Sequence, residues 1–199
     1  MRVSVIREAG FLEALVGMGL SFEINGDETV NAMIAGQLEG EKCQKRINRA
    51  FALAGKGGGH DKFMRQIMTW IYIKAPFYWW KQMDQYKVAT TTSSESTMHT
   101  LGRRALTQDD FEYPISSLLL EQLNVYIACG EWDRLNNELP SGFLQGRMWT
   151  GSYANIHNIV HQRDGHKLKQ WSFFINSLKH QLMYPKLIWN DNENNSDLL

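Results

Sequence analysis

The sequence predicts an α+β fold in a single domain, and three observations carry that reading. Residues 2–7 alternate as a half-buried strand does. Residues 66–73, QIMTWIYI, put apolar groups on both alternating faces, as expected of a central strand covered on each side. Leu168, Trp171, Ile175, Leu178 and Leu182 recur at alternating three and four spacing, the buried stripe of a helix. At 199 residues the chain is long enough for one sizeable core, and nothing in it marks a second.

The remaining elements follow in order. Phe11 to Met18 make a short apolar helix. Asp27 is placed to cap a long helix reaching residue 53, with Met33, Ile34, Leu38, Ile47, Ala50 and Phe51 as its buried side. GKGGGH at 55–60 ends it, because consecutive glycines let the backbone turn freely; the segment lacks the Walker pattern of a phosphate loop. Pro76 suits a helix's first position and starts FYWWKQMDQY, after which VATTTSSEST is poor in helix formers and reads as loop. Pro114 opens another helix, with Ile115, Leu119, Leu123 and Tyr126 on one face and Gly130 as its stop. LPSG at 139–142 is a turn, and Ser152 or Thr150 caps the helix YANIHNIVHQ. The last helix halts at Pro185, and the tail 190–199 has little to bury and reads as disordered. There is no internal repeat and no Rossmann glycine fingerprint.

Lys+Arg and Asp+Glu both total 21, and the basic residues are scattered. That argues against duplex nucleic acid, whose phosphates need concentrated cations. Cys43 and Cys129 fall inside helical segments and are expected to be buried thiols in a reducing compartment. The first residues read as a strand rather than a leader, and no apolar run approaches membrane length, so a soluble cytoplasmic protein is expected.

Three motifs admit more than one use. His157 and His161 lie one helical turn apart, which would present two imidazoles to a metal; but Asn158 stands where the zinc-protease pattern has its Glu, no further ligand lies nearby, and surface or partner-contact histidines are the expectation. Phe77, Tyr78, Trp79 and Trp80 are expected to supply at least two core rings. Consecutive helix positions cannot all face one way, so the others reach a subunit contact or a ring-shaped ligand. The hydroxyls of residues 90–97 suit either a solvated loop or a nucleotide phosphate.

The stretch from His60 to His99 resembles the cofactor-binding core of the flavin-dependent thymidylate synthases, also called thymidylate synthase complementing proteins. That family carries a His, a strand ending near Ala-Pro, a helix with Gln before Arg-His-Arg, and a loop of the form Asn-Glu-x-Ser-x-Arg-Tyr. Here His60 precedes the IYIKAP strand end, Gln82 stands in the helix, and EST at 95–97 echoes the loop. A second block agrees: LP at 139–140, WT at 149–150, Arg163, then QW at 170–171. With the N-terminal strand and GFLEALVGMG, the resemblance covers nearly the whole chain.

The resemblance implies a central antiparallel sheet flanked by helices and an enzyme that methylates dUMP at C5. FAD would be the hydride carrier, methylene-tetrahydrofolate the carbon donor and NADPH the reductant, in a homotetramer whose sites lie at subunit junctions. Carried over residue by residue, His60, Gln82, Gln85, Tyr86, Lys87, His166 and Gln170 would contact the cofactor. Ser94, Glu95, Ser96, Thr97, His99, Arg147, Ser152 and Arg163 would contact the nucleotide, with Ser96 and Arg163 as the catalytic residues. Gln85-Tyr86-Lys87 replaces the family's Arg-His-Arg, which removes planar bidentate phosphate contacts. Met98 or His99 falls where a substrate-contacting Arg is expected, Asn136 replaces another Arg, and Ser152 replaces the helix Asn. A substrate phosphate would then rest on Arg103, Arg104 or Arg147. The alternative is a homologue that has lost flavin chemistry and binds nucleotide or serves as a structural oligomer. A methyl or a hydroxymethyl group fits the resemblance equally.

Overall fold

The computed structural model describes residues 1–38 and 40–189. In chain order they form β1 (Arg2–Ala9), α1 (Phe11–Gly19), α2 (Gly26–Ile34), α3 (Glu41–Leu53), β2 (Met68–Pro76), α4 (Phe77–Met83), β3 (Thr91–Ser94), α5 (Thr97–Thr100), α6 (Ser117–Cys129), α7 (Trp132–Glu138), β4 (Leu144–Ser152), α8 (Tyr153–Arg163) and α9 (Lys169–Gln181). The four strands make one antiparallel sheet in the order β1-β2-β4-β3, with helices flanking it, as the α+β expectation requires. The expected disordered tail, 190–199, lies outside the described residues.

By its contacts the chain divides into two compact units, one of residues 1–4 and 71–149, the other of residues 5–70 and from 150 onward. In the first, α6 and α7 pack on each other, and Leu101, Leu106, Phe111, Leu123, Tyr126 and Leu135 form a buried cluster. Trp79 and Trp80 are also core, meeting edge to face with centroids 5.0 Å apart, and the Trp80 indole donates to the Gln145 carbonyl at 3.0 Å. In the second unit α1 packs on α3, and α8 packs on α9 and on the 3₁₀ turn Lys62–Arg65. Ser152 caps α8 as expected, in a reciprocal box with Asn155. Tyr153 is fully buried; its hydroxyl donates to Glu8 and accepts the Tyr184 amide at 3.2 Å. Burial, then the Glu8 carboxylate, raises the pKa of this phenol far above its ordinary value.

Several expectations are corrected. The long helix from Asp27 is two helices: Gly36 and Gly40 adopt φ of 67° and 80°, left-handed values that end one helix and delay the next. Asn25 precedes α2, Asp27 sits in its first turn, and Ile34 is exposed. Pro76 ends β2 in extended conformation instead of opening α4. α4 closes at Asp84, so Gln85, Tyr86 and Lys87 lie past it, where Ala89 at φ 56° turns the chain into β3. Part of the expected loop is therefore a strand, because Thr91–Ser94 pairs along β4. α6 starts at Ser117, not Pro114, since the Gln108 amide bonds both backbone groups of Ile115 and keeps that residue out of the helix. β2 is fully buried on the side of Thr69, Ile71, Ile73 and Ala75 but only half-covered at Trp70, Tyr72 and Lys74. Cys43 is half-buried and Cys129 is exposed, Cys129 sitting at the solvated end of α6 just before the left-handed Gly130.

Candidate functional site

In the first unit the extended β4 backbone runs beside β3, and the pairing continues through Glu95, whose amide donates to the Gly146 carbonyl at 2.9 Å. The Glu95 carboxylate in turn accepts the Gly146 amide at 2.8 Å, and the Gln145 side chain donates to the Glu95 carbonyl at 2.7 Å. Gly146 leaves the space this needs: a Cβ there would lie 2.4 Å from the Tyr72 hydroxyl and 2.7 Å from Glu95 Oε1. Burial, with the Glu95 charge second, raises the Tyr72 pKa, so the phenol stays protonated.

Glu95 borders a cavity of about 370 Å³ that also presents Lys74, Arg103 and Arg104. Arg104 is engaged bidentately by Asp110, with Nη1 at 2.7 Å and Nη2 at 2.5 Å. The guanidinium holds the Asp110 carboxyl below the usual aspartate range. Lys74 and Arg103 have no ion-pair partner among the described residues, so two uncommitted cations face one polar cavity. Such a set suits an anionic ligand, above all a phosphate. Lys74 and Tyr72 were not singled out from the sequence; their signal is the alternate register of β2 on its half-covered side.

The loop after β3 is built around Ser96. Its hydroxyl accepts the His99 amide at 3.3 Å as the cap of α5 and lies 2.9 Å from His99 Nδ1. Ser96 and His99 thus meet, Thr97 follows in the same turn, and Ser94 is exposed at the end of β3. Arg147 is placed elsewhere: Nη1 meets Asp84 at 2.8 Å, Nε donates to Gln145 Oε1 at 2.9 Å, and the guanidinium lies 4.2 Å from the Trp80 ring centre. Its burial lowers its pKa against the opposing effect of Asp84. Of the three arginines expected to hold a phosphate, the cavity thus gathers Arg103 and Arg104, while Arg147 braces α4 against β4. Gln82 is half-buried on α4, and Gln85 and Lys87 are exposed in the turn beyond it.

In the second unit His60 is exposed at a cavity of about 490 Å³ walled by Met18, Phe22, Leu53 and Phe63, with Ser21, Lys62, Arg65 and Gln66 as polar neighbours. The left-handed Gly55, Gly57, Gly58 and Gly59 make the turn that delivers it. Arg163 and His166 converge on a different ring: the guanidinium lies 4.9 Å from the Trp171 centre, and the imidazole meets the same indole edge-on at 6.3 Å. His166 Nδ1 accepts the Leu168 amide at 3.0 Å, and Gln170 is buried at the start of α9. Arg163 is not among the residues that line the His60 cavity. The Ser152 hydroxyl is taken up by the α8 cap. His157 and His161 stack with centroids 4.0 Å apart, and His161 Nδ1 donates to the His157 carbonyl. Among the described residues no group of three His, Cys, Asp or Glu side chains is placed to hold a metal. None of the described helices is long and apolar enough to cross a membrane.

No protein-family model matches the chain, and no curated protein matches it by sequence. Solved structures do match in shape. Flavin-dependent thymidylate synthase ThyX from Helicobacter pylori, complexed with FAD and dUMP, superposes with a TM-score of 0.72 at 12% identity, over 94% of this chain and 98% of that one. A second structure of that enzyme with FAD and dUMP gives the same TM-score over 94% and 97%. The UMP/dUMP methylase PolB from Streptomyces cacaoi, bound with 5-Br dUMP, gives 0.60 at 10% identity over 93% and 92%. The chain has the fold of the flavin-dependent thymidylate synthases.

Proposed function

We propose that the protein is a cytoplasmic, homotetrameric enzyme that transfers a one-carbon unit from methylene-tetrahydrofolate to C5 of dUMP or a related pyrimidine nucleotide, with FAD as cofactor and NADPH as reductant. The observation that carries this reading is a fold shared over 94% of the chain with a protein solved with FAD and dUMP. In the first unit, Lys74 and Arg103 would take the nucleotide phosphate and Arg104, oriented by Asp110, would bound it. Hydroxyls of Ser94, Ser96 and Thr97, with His99 and Glu95, would align sugar and base from the neighbouring loop. Arg147 keeps that loop's β4 partner in place rather than meeting the nucleotide.

The second-unit cavity fits the ring system of a flavin: apolar walls with a few polar groups are what a planar heterocycle needs, and the volume falls in the range of roughly 300–1,000 Å³ usual for such pockets. His60 would hydrogen-bond the ring's polar edge while Met18, Leu53 and Phe63 exclude water. A bound flavin supplies the hydride for the redox step. Arg163, placed over the Trp171 ring beside His166, would direct its N–H groups toward an anionic or carbonyl oxygen. One observation favours the alternative of a homologue without flavin chemistry: Gln85, Tyr86 and Lys87 lie in a turn, beyond the helix, without the planar cations that would fix a cofactor phosphate.

Calorimetric titration with dUMP tests the nucleotide half. Saturable binding is expected, with Lys74→Ala and Arg103→Ala each weakening it about tenfold, some 1.4 kcal/mol. Absence of binding, or binding indifferent to both substitutions, rejects it.

A further inference from the structure

We infer that the cleft between α2 and α3 is a phosphate site, which shares only Phe22 with the lining of the His60 cavity and no residue with that of the nucleotide site proposed above. The cleft has a volume of about 320 Å³. Lys42, Lys45, Arg46 and Arg49 all line it, spaced along one face of α3, where like charges repel unless something anionic lies among them.

The anions already present are largely committed. Glu41 pairs with Lys45 at 2.7 Å, and Glu28 accepts from the Asn25 amide at 3.1 Å. Glu23 receives the Thr29 hydroxyl at 2.6 Å and binds Arg46. Those contacts, the Thr29 bond foremost, keep the Glu23 carboxyl ionised. Glu23 therefore orients Arg46 and does not fill the cleft.

Arg46 is the built part of the site. Its side chain is only 9% exposed, yet Nη1 has no acceptor among the described residues. A buried donor of that kind is rare and calls for an acceptor. Nη2 also reaches the Thr29 hydroxyl at 3.2 Å, so the guanidinium is locked in place. Gly19 makes room for it, since a Cβ there would lie 2.8 Å from Arg46 Nε.

Lys42 and Arg49 flank the same wall, and Lys42 has no ion-pair partner among the described residues. Three cationic side chains lining one cleft supply more N–H donors than the two oxygens of a carboxylate can accept, and suit the three terminal oxygens of a phosphomonoester. Phe22 sets the nature of the carrier. One ring face is covered by the Arg49 guanidinium at 4.2 Å; the ring also borders the His60 cavity, and the residue is still 69% exposed, which leaves area for a planar group.

The test is calorimetric titration of the full chain with inorganic phosphate, phenyl phosphate and benzoate. Phosphate and phenyl phosphate are expected to bind and benzoate at least tenfold more weakly. The double variant Lys42→Ala/Arg49→Ala should lose at least tenfold for both phosphates while keeping its melting temperature and its dUMP affinity. Arg46→Met should abolish binding, but it cuts a buried ion pair, so the surface double variant carries the decision if that chain fails to fold. Phe22→Ala should bring phenyl phosphate down to the affinity of inorganic phosphate. Equal binding of the two phosphates to the unaltered chain would assign the site to free phosphate and overturn the planar carrier. No saturable binding of either, or binding untouched by the double variant, would overturn the site. Because dUMP is read separately, failure here is distinct from failure of the proposed function.

Discussion

Gly146→Ala is the substitution from which the first unit's geometry can be read most directly. Gly146 has no left-handed φ, so the cost is one of space alone. The new methyl would lie 2.4 Å from the Tyr72 hydroxyl, 2.7 Å from Glu95 Oε1 and 2.8 Å from Glu95 Cδ. Both side chains must yield, and Glu95 must release the Gly146 amide that it now accepts at 2.8 Å. Overpacking of this kind costs about 1–3 kcal/mol. The exposed Glu95 carboxylate can swing into water, which keeps the figure toward the lower end. Tyr72→Phe removes the nearest atom without removing the ring, so the double variant should recover part of the loss, a coupling of at least about 0.5 kcal/mol. Urea unfolding of the four chains gives that coupling, and dUMP titration of the same chains shows whether moving Glu95 weakens nucleotide binding. Full stability of Gly146→Ala, or strict additivity with Tyr72→Phe, would refute the reasoning.

Three further outcomes are expected. The Asp110 carboxyl is held below its ordinary value mainly by the Arg104 hydrogen bond, so the stabilisation is complete above the unfolded-state value and disappears as pH falls through the folded one. Asp110→Asn should cost about 1–2 kcal/mol at neutral pH and flatten the acid limb of stability measured by urea unfolding from neutral pH downward. Ser152→Ala removes the α8 cap and should cost about 1 kcal/mol by thermal unfolding; Ser152→Asn should restore most of it. Tyr153→Phe leaves Glu8 without its buried hydroxyl and the Tyr184 amide without its acceptor, so about 1–3 kcal/mol should be lost, as amide exchange near residues 183 and 184 would also register.

How far these features were legible depended on whether local chemistry and tertiary need pointed the same way. α1 and α9 stood out because their apolar spacing agrees with their burial, and α8 because Ser152 caps it; β1 is a strand as expected, although only Val3 is buried and Ile6 is exposed. β4 did not stand out. LQGRMWTGS has two glycines and no apolar alternation, and it is a strand because its backbone pairs between β2 and β3. The glycine that hid it, Gly146, is the one that lets Glu95 and Tyr72 approach. α7 was missed for a related reason: WDRLNNE buries only Leu135 and is helical through its packing on α6. At the candidate site Arg103 and Arg104 were legible as cations, but their meeting with Lys74 depends on β2 register and on the Arg104–Asp110 pair. Arg147 looked equally available in the sequence. Asp84, one residue past α4, occupies it.

The proposed binding of a flavin is tested most directly by the visible spectrum of protein produced with excess FAD and freed of unbound cofactor. A band at about 450 nm, the region of oxidised flavin absorbance, is expected, weakened in His60→Ala, together with a rise in melting temperature on adding dUMP. A colourless protein whose melting temperature responds to neither FAD nor dUMP would contradict it.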